Sequence, residues 1–454
     1  MVCDESVRLA VGMSQFVHLH TASALSIQYG TASPADLVRR AAEHGQHALA
    51  LTDRDTVAGA VSFFHACQSA GVAPILGADL SLSSTGAHRV TALAHDATSW
   101  AGLCAALTHS HGQPNLHAGS GPYVGLEQFA KGAGDSHLVV LLGPQSHLAQ
   151  LVHTRRFAQA KAQMRMWHEY GVKVFIEVVT HQQSPEVSRT SDAFAAQMLH
   201  WAVEHRIPAV LTNAVRYVRP GDARVSDVLD AVRAHKPLSA MPVGQFTNQA
   251  FLASSGHMWK IAQRLAQKVG DSRDVASALW NHTVALGEQC IIDPHADLGL
   301  GNVYVPELSM LLPGETQTAQ HVLQRHCESA LEEYVVRNPR SKTVAQTRML
   351  DELQVISDMG FAGYVLTVAQ VVDMIRDMGI RVAARGSGAG SFLCYLLGIS
   401  GVDPIVHNLL MERFVSRLRP GLPDIDIDVE SDRRLEIYDA IFAKFGQQRT
   451  ACVS

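Results

Sequence analysis

The sequence predicts an α/β chain of two units: a strand–helix layered unit first, then a smaller one built around an acidic strand. Three observations predict it. Strand-like runs His47–Asp53 and Ala73–Asp79 alternate with helix-like runs Pro34–His44 and Val57–Ala70. Such alternation argues for a parallel layout, a barrel with its site at the strand ends included. Near the other end, Leu422–Val429 places Asp424, Asp426 and Asp428 at every second position between Ile425, Ile427 and Val429. A glycine- and serine-rich turn, Val382–Ser391, lies shortly before those aspartates.

In order along the chain, Gln15–His20 is a short alternating run that puts His18 and His20 on one face of a strand. Neutral imidazoles at that spacing suit zinc or manganese. Among 24 histidines, a His-x-His pair also arises by chance, and the plain reading is a hydrogen-bonded surface pair. Ser33 followed by Pro34 opens the first helix, with Leu37, Val38, Ala41 and Ala42 on its apolar face. Gly112–Gly134 reads as a surface loop, and His109 and His111 as a solvated helix end. Prolines 294, 306 and 313 among glycines mark Ile291–Gly314 as the crossing between the units. Helical periodicity then runs over Thr316–Val336 and Thr343–Met359, with Leu323, Cys327, Leu331, Leu350, Leu353 and Ile356 expected in the core.

The turn at 382–391 follows a helix-like stretch, Val371–Gly379, and leads into the apolar run Phe392–Leu397. Glycines let backbone N–H groups approach an anion, and the start of a following helix adds a favourable dipole. No Lys follows the glycines, and Ser391 stands where a dinucleotide fingerprint needs its third Gly. Arg413, Arg417 and Arg419 then offer planar forks suited to phosphate oxygens, although a solvated basic loop is the common role of such clusters. The three carboxylates beyond them would share one strand face. Like charges at that spacing repel unless cations neutralise them, so the ladder reads as a divalent-metal site rather than a solvated acidic edge. An EF-hand is excluded, because its sixth and twelfth positions would be Val429 and Leu435.

Residues from about Leu350 to Lys444 resemble the palm of bacterial C-family DNA polymerases, the DNA polymerase III alpha type. The resemblance rests on Glu352-Leu353-Gln354-Val355-Ile356, Met359-Gly360-Phe361-Ala362-Gly363-Tyr364, Arg385-Gly386-Ser387-Gly388-Ala389-Gly390-Ser391, Asp403-Pro404, Glu412-Arg413-Phe414 and Pro423-Asp424-Ile425-Asp426-Ile427-Asp428. It implies that Asp424 and Asp426 are catalytic ligands of two magnesium ions, with Asp428 beside them. It also implies that Arg385, Gly386, Ser387, Arg413 and Arg419 hold the incoming triphosphate. Two metals held roughly 3.5–4 Å apart activate the attacking oxygen and steady the leaving one. The family usually has Gly-Pro-Gly-Arg-Gly-Ser at the turn, where this chain has Ala383-Ala384 before Arg385.

The stretch from Phe16 to Val232 resembles the PHP (polymerase and histidinol phosphatase) domain that opens these polymerases, Ile207–Tyr217 included. His18 and His20 match two of its metal ligands, and Asp79 stands for a usual Glu. Tyr29, Arg54, Ala214 and Arg216, however, occupy places where the family often has Asp, His, Asp and His. Arginines repel a metal rather than bind it. The expectation is a degraded, structural PHP centre that holds neither zinc nor manganese. Tyr-Gly, Thr-Asp-Arg-Asp and Asn-Ala-Val-Arg variants bring the chain closer to the error-prone branch of the family than to the main replicase.

The resemblance thus implies a distorted TIM-like (PHP) barrel over 1–285, the first part of a nucleotidyltransferase-type palm over 286–440, and the start of a thumb over 441–454. The function implied is DNA-directed DNA polymerase in replication or repair synthesis. Its partners would be a DNA primer-template and deoxynucleoside triphosphates, with a sliding clamp and other polymerase subunits reached through regions beyond this chain. The competing readings are a PHP-type metal phosphoesterase or 3′–5′ exonuclease, and an inactive remnant that only binds a partner. Seven cysteines without a CxxC pair argue for a reducing cytoplasm and against a zinc finger, and no apolar run reaches the ~18 residues of a membrane span. A net charge of −5 confines DNA contacts to basic patches such as Arg413–Arg419 and Arg433-Arg434. The family's third catalytic carboxylate is not among these 454 residues. A primer-extension assay with this chain alone is therefore expected to show no template-dependent synthesis.

Overall fold

The computed structural model describes residues 15–112, 121–185, 188–242, 246–270, 274–302, 304–416, 422–446 and 449–450. The chain divides into two compact units, Met1–Leu300 and Gly301–Ser454. The division expected at 285/286 falls inside the helix Asp274–Gln289, and the one at 440/441 inside the helix Arg434–Phe445. Neither helix is interrupted there, so the first boundary moves on to the proline-rich crossing that the sequence marks.

In the first unit, six strands lie in sequential order: β1 (Ala48–Arg54), β2 (Ala73–Ser81), β3 (Arg89–Leu93), β4 (Val139–Leu142), β5 (Lys173–Val179) and β6 (Ala209–Thr212). The pairs β1–β2, β4–β5 and β5–β6 are parallel, whereas β3 is antiparallel to both neighbours. The parallel layout is interrupted at β3 for a simple reason. Only residues 82–88 join β2 to β3, and a parallel crossover needs a dozen or more. The barrel is distorted at that point.

The segment 16–22 closes the sheet. His18 bridges Leu49 on one side, and Thr21 bridges Val215, beyond β6, on the other. Ala50 N–H donates to the His18 carbonyl (2.9 Å), and Val215 N–H to the His20 carbonyl (2.9 Å). The expected strand is thus two isolated bridges, because its hydrogen bonds are shared between two edges. Side chains of β1 alternate between two buried clusters. Ala48 and Ala50 pack with Val17, Leu19, Ile75, Leu141 and Val210, while Leu49 and Leu51 pack with Leu37, Val38 and Phe63. The latter come from helices Pro34–Glu43 and Ala60–Ala70, the first capped by Ser33 accepting from Asp36 N–H. Arg54, Asp79, Glu177 and Thr212 end up at or near the carboxyl ends of parallel strands, where barrels of this kind carry their sites.

The second unit is mainly helical. Helices Ala319–Arg337, Lys342–Asp358 and Ala362–Asp377 surround a core that includes Leu323, Cys327, Leu331, Leu353 and Ile356, as the periodicity predicts. Leu350 is an exception, at 55% exposure. The buried stripe of its helix runs Ala345, Met349, Glu352, Leu353, Ile356, and Leu350 lies off it. A two-stranded antiparallel sheet, β7 (Val382–Arg385) and β8 (Asp426–Val429), completes the unit.

Candidate functional site

The register of β7 on β8 builds the acidic site. Val382 faces Val429, Ala383 faces Asp428, Ala384 faces Ile427, and Arg385 faces Asp426. Opposed residues in an antiparallel pair share a sheet face, so one face carries Arg385 with the aspartates and the other carries apolar groups. Ile427 and Val429 pack against Ile375, Ile380 and Ile437, and Ile425 is buried in the main core. Arg385 Nε donates to Asp428 Oδ1 at 3.0 Å, and its Nη1 lies 3.6 Å from Asp426 Oδ2. The side chains of Asp426 and Asp428 are 43% and 63% exposed. The paired strand starts at Asp426, so exposed Asp424 precedes it rather than lying within a three-rung ladder.

The Gly-Ser turn is a 3-10 turn over Gly386–Gly390, followed by the short helix Phe392–Leu396. Gly386 has φ +73°, which favours glycine, and a side chain at Gly390 would meet the Leu410 carbonyl at 2.9 Å. Ser387 is exposed beside it. The N–H groups of the following helix are not offered to a ligand, contrary to expectation. Glu352 accepts from Ser391 Oγ (2.7 Å), Phe392 N–H (2.9 Å) and Leu393 N–H (3.1 Å). The anion at this helix start is the protein's own, and Arg348 balances it through Nε at 2.6 Å. Arg348 also donates to the Gly390 and Leu409 carbonyls, tying the turn down. The turn holding Arg413 (Met411–Arg413) packs on the Gly-Ser turn, and Arg413 is exposed. Arg417 and Arg419 lie outside the described residues.

Sequence reasoning missed three residues of this site. Glu352 and Arg348 carry a signal in their i, i+4 spacing, and Glu352 sits in a segment already quoted for the resemblance. Tyr364 accepts from the Ile425 N–H just before the acidic strand, and burial first of all pushes its phenol above the usual value.

In the first unit, His20 and Asp79 line one cavity of about 320 Å³ with Tyr29, Arg54, Arg89, Glu177, Arg216 and others. His18 does not join them. It is fully buried, and its Nε2 hydrogen-bonds the Ala253 carbonyl at 2.9 Å. Asp79, Glu177 and Asp230 of this cavity are already paired. Asp79 accepts from Arg54 Nε (3.1 Å) and Arg89 Nε (3.0 Å), and Asp230 takes a two-pronged contact from Arg216 (2.7 and 2.9 Å). Burial alone would raise the Asp79 carboxyl, but Arg89 and Arg54 outweigh it and bring it below its usual range. The Tyr29 ring lies between the Arg54 and Arg216 guanidinium groups, 3.4 and 4.1 Å from its centroid. His111, at its helix end, hydrogen-bonds the Asp55 carbonyl at 2.7 Å. Among the described residues, no three His, Cys, Asp or Glu side chains converge in a metal-ligating group. At this cavity the donor set does not fit a metal centre, because guanidinium groups stand against the carboxylates that would ligate it.

Residues 18–181 match the PHP domain, and residues 321–454 match the bacterial DNA polymerase III alpha NTPase domain. Both matches agree with the resemblance to the bacterial C-family DNA polymerases. It is 30% identical over 458 aligned residues to an error-prone DNA polymerase of Cutibacterium acnes, covering 97% of this chain and 37% of that protein. An error-prone DNA polymerase of Alkalilimnicola ehrlichii is also 30% identical, over 96% of this chain and 38% of its own length. The chain thus spans less than two fifths of the length of these relatives. Among solved structures, an amidohydrolase from Chromobacterium violaceum aligns over 44% of this chain and 87% of its own, at 16% identity and a TM-score of 0.31. That likeness is too loose to carry an argument.

Two outcomes follow. His20 is held by Glu177 at 2.7 Å; burial opposes its charge, but Glu177 outweighs burial and lifts its pKa to about 9 from 6.5. The stability this pair contributes is complete below 6.5 and is lost as pH rises through about 9. Burial holds His18 and His181 down at about 4, so their contribution is complete above 6.5 and lost as pH falls toward 4. Urea unfolding of His20→Gln is therefore expected to be flatter than wild type between pH 6.5 and 9. Glu352→Ala, which strips the turn of its buried acceptor and leaves Arg348 unpaired, is expected to cost about 3–5 kcal/mol in denaturant unfolding.

Proposed function

We propose that this chain carries the metal- and triphosphate-holding part of a DNA-directed DNA polymerase of the error-prone kind, working in repair or replicative synthesis. The observation that supports it most is the β7–β8 register, which sets Arg385 beside Asp426 and Asp428 on one sheet face, with Gly386 and Ser387 following Arg385 in the turn. These are hard oxygen donors that already accept a positive group between them, and they suit a hydrated divalent ion with few protein ligands. Asp424 and Asp426 would hold magnesium, with Asp428 next to them. Such ions activate the primer hydroxyl and neutralise charge on the triphosphate. The chain's own residues position the substrate: Ser387 offers a hydroxyl, Gly386 an open backbone, and Arg385 and Arg413 planar forks. Arg419 completes this reading from the sequence. The polymer partner is a primer-template, the small substrates are deoxynucleoside triphosphates, and a clamp and further subunits would engage longer relatives. Among the described residues, no single helix is long and apolar enough to cross a membrane. A cytoplasmic location belongs to this reading through the polymerase resemblance alone.

The first unit supports a structural role over a phosphoesterase or exonuclease centre. Its carboxylates face Arg54, Arg89 and Arg216 instead of open coordination sites. Metal binding separates the two readings. In equilibrium dialysis with manganese, the full chain is expected to bind manganese, and the double variant Asp424→Asn/Asp426→Asn to lose at least about tenfold in affinity. Stoichiometric zinc or manganese retained by the double variant would place the metal in the first unit and favour the phosphoesterase.

A further inference from the structure

The Arg385 guanidinium stands where a positive charge is needed between two carboxylates, and its residue directly precedes the turn that would receive phosphates. Its contacts are Asp428 Oδ1 at 3.0 Å and Asp426 Oδ2 at 3.6 Å. No other cation among the described residues makes an ion pair with either aspartate. Its flanking neighbour Arg381 is engaged elsewhere, on Glu430 at 2.9 Å. The register explains the reach. Arg385 lies opposite Asp426 and diagonal to Asp428, and the residue opposite Asp428 is Ala383, too short to fill the space between. A bulkier side chain at Ala383 would block the diagonal. Gly386, directly after Arg385 and with φ +73°, turns the chain so that the Gly-Ser turn begins at the guanidinium.

One monovalent group cannot neutralise two carboxylates and bind a phosphate oxygen with the same N–H donors. We propose that Arg385 is an exchangeable internal counter-ion: it neutralises Asp426 and Asp428 until a divalent cation held by Asp424 and Asp426 takes over that charge, and is thereby released toward the phosphates at the Gly-Ser turn. Cation and triphosphate then favour each other's binding through one side chain, and the coupling is reciprocal. The exposure of the group, 63% on the arginine side, keeps the exchange cheap. This inference rests on the reading of the aspartates as a metal site.

The test uses the full 454-residue chain and manganese alone, with free manganese followed by electron paramagnetic resonance. Arg385 is exposed and outside the core, so its variants keep the fold. Removing an exposed competing charge is expected to make Arg385→Gln bind manganese roughly two- to fivefold more tightly than wild type. Arg385→Lys, which keeps the charge, is expected to stay close to wild type. Ala383→Leu, which obstructs the diagonal contact, is expected to move toward Arg385→Gln. Unchanged or weaker manganese binding by Arg385→Gln overturns the counter-ion role while leaving the metal site standing. Failure of wild type and Arg385→Gln alike to bind manganese, or binding indifferent to Asp424→Asn/Asp426→Asn, sinks the metal-site reading itself.

Discussion

A carboxylate drawn out of water needs a positive partner or a set of hydrogen-bond donors, and this requirement shapes both units. Asp79, at 3% exposure, cannot stay ionised in the barrel mouth without Arg54 and Arg89. Glu352, at 2% exposure, is sustained by Arg348 and three further donors. Asp426 and Asp428 are more open and, among the described residues, have one arginine between them. The depth of burial separates the cases. Deep pairs are fixed parts of the fold, because removing one partner strands the other. The exposed trio is held at little cost to either side, and that is the basis of the counter-ion proposal.

The same contrast explains why one unit reads as a polymerase site and the other as architecture. In the first unit, guanidinium groups occupy the space where a metal's charge would act, and Tyr29 fills the gap between two of them. The barrel keeps the shape of a site and most of its polar lining, while its charges are already matched internally. In the second unit the matching among the described residues is incomplete: two aspartates share one arginine, Asp424 is exposed, and Ser387 is open to solvent.

Much of this was legible in the sequence because it depends on period and parity. Alternation fixed which face of β8 carries Asp426 and Asp428, and the 3.6 period placed Leu323, Cys327, Leu331 and Leu353 in the core. The substitutions Arg54 and Arg216 announced a cationic barrel mouth by residue type alone. What period cannot supply is partnership across long separations. Nothing in the local pattern of His18 shows that its ring turns to Ala253 while His20 turns to Glu177. Nothing near Ser391 shows that a glutamate about 40 residues earlier takes the helix's free N–H groups. The reversed direction of β3 was hidden differently, since it follows from the length of a connection and not from the strand itself.

The closure of the barrel has a consequence for how the protein is made. The segment around His18–Ala22 is hydrogen-bonded both to β1, a few dozen residues on, and to Val215, nearly two hundred residues on. A nascent chain can complete the first of these pairings early, but the second has to wait for most of the unit to be synthesised. Until then the half-closed sheet presents an unpaired edge next to the future β6, a surface open to pairing with the wrong strand. Contacts of such long range also slow the search for the native topology. The ring that gives the mouth its rigid walls is thus sealed last, by one of the earliest pieces to emerge.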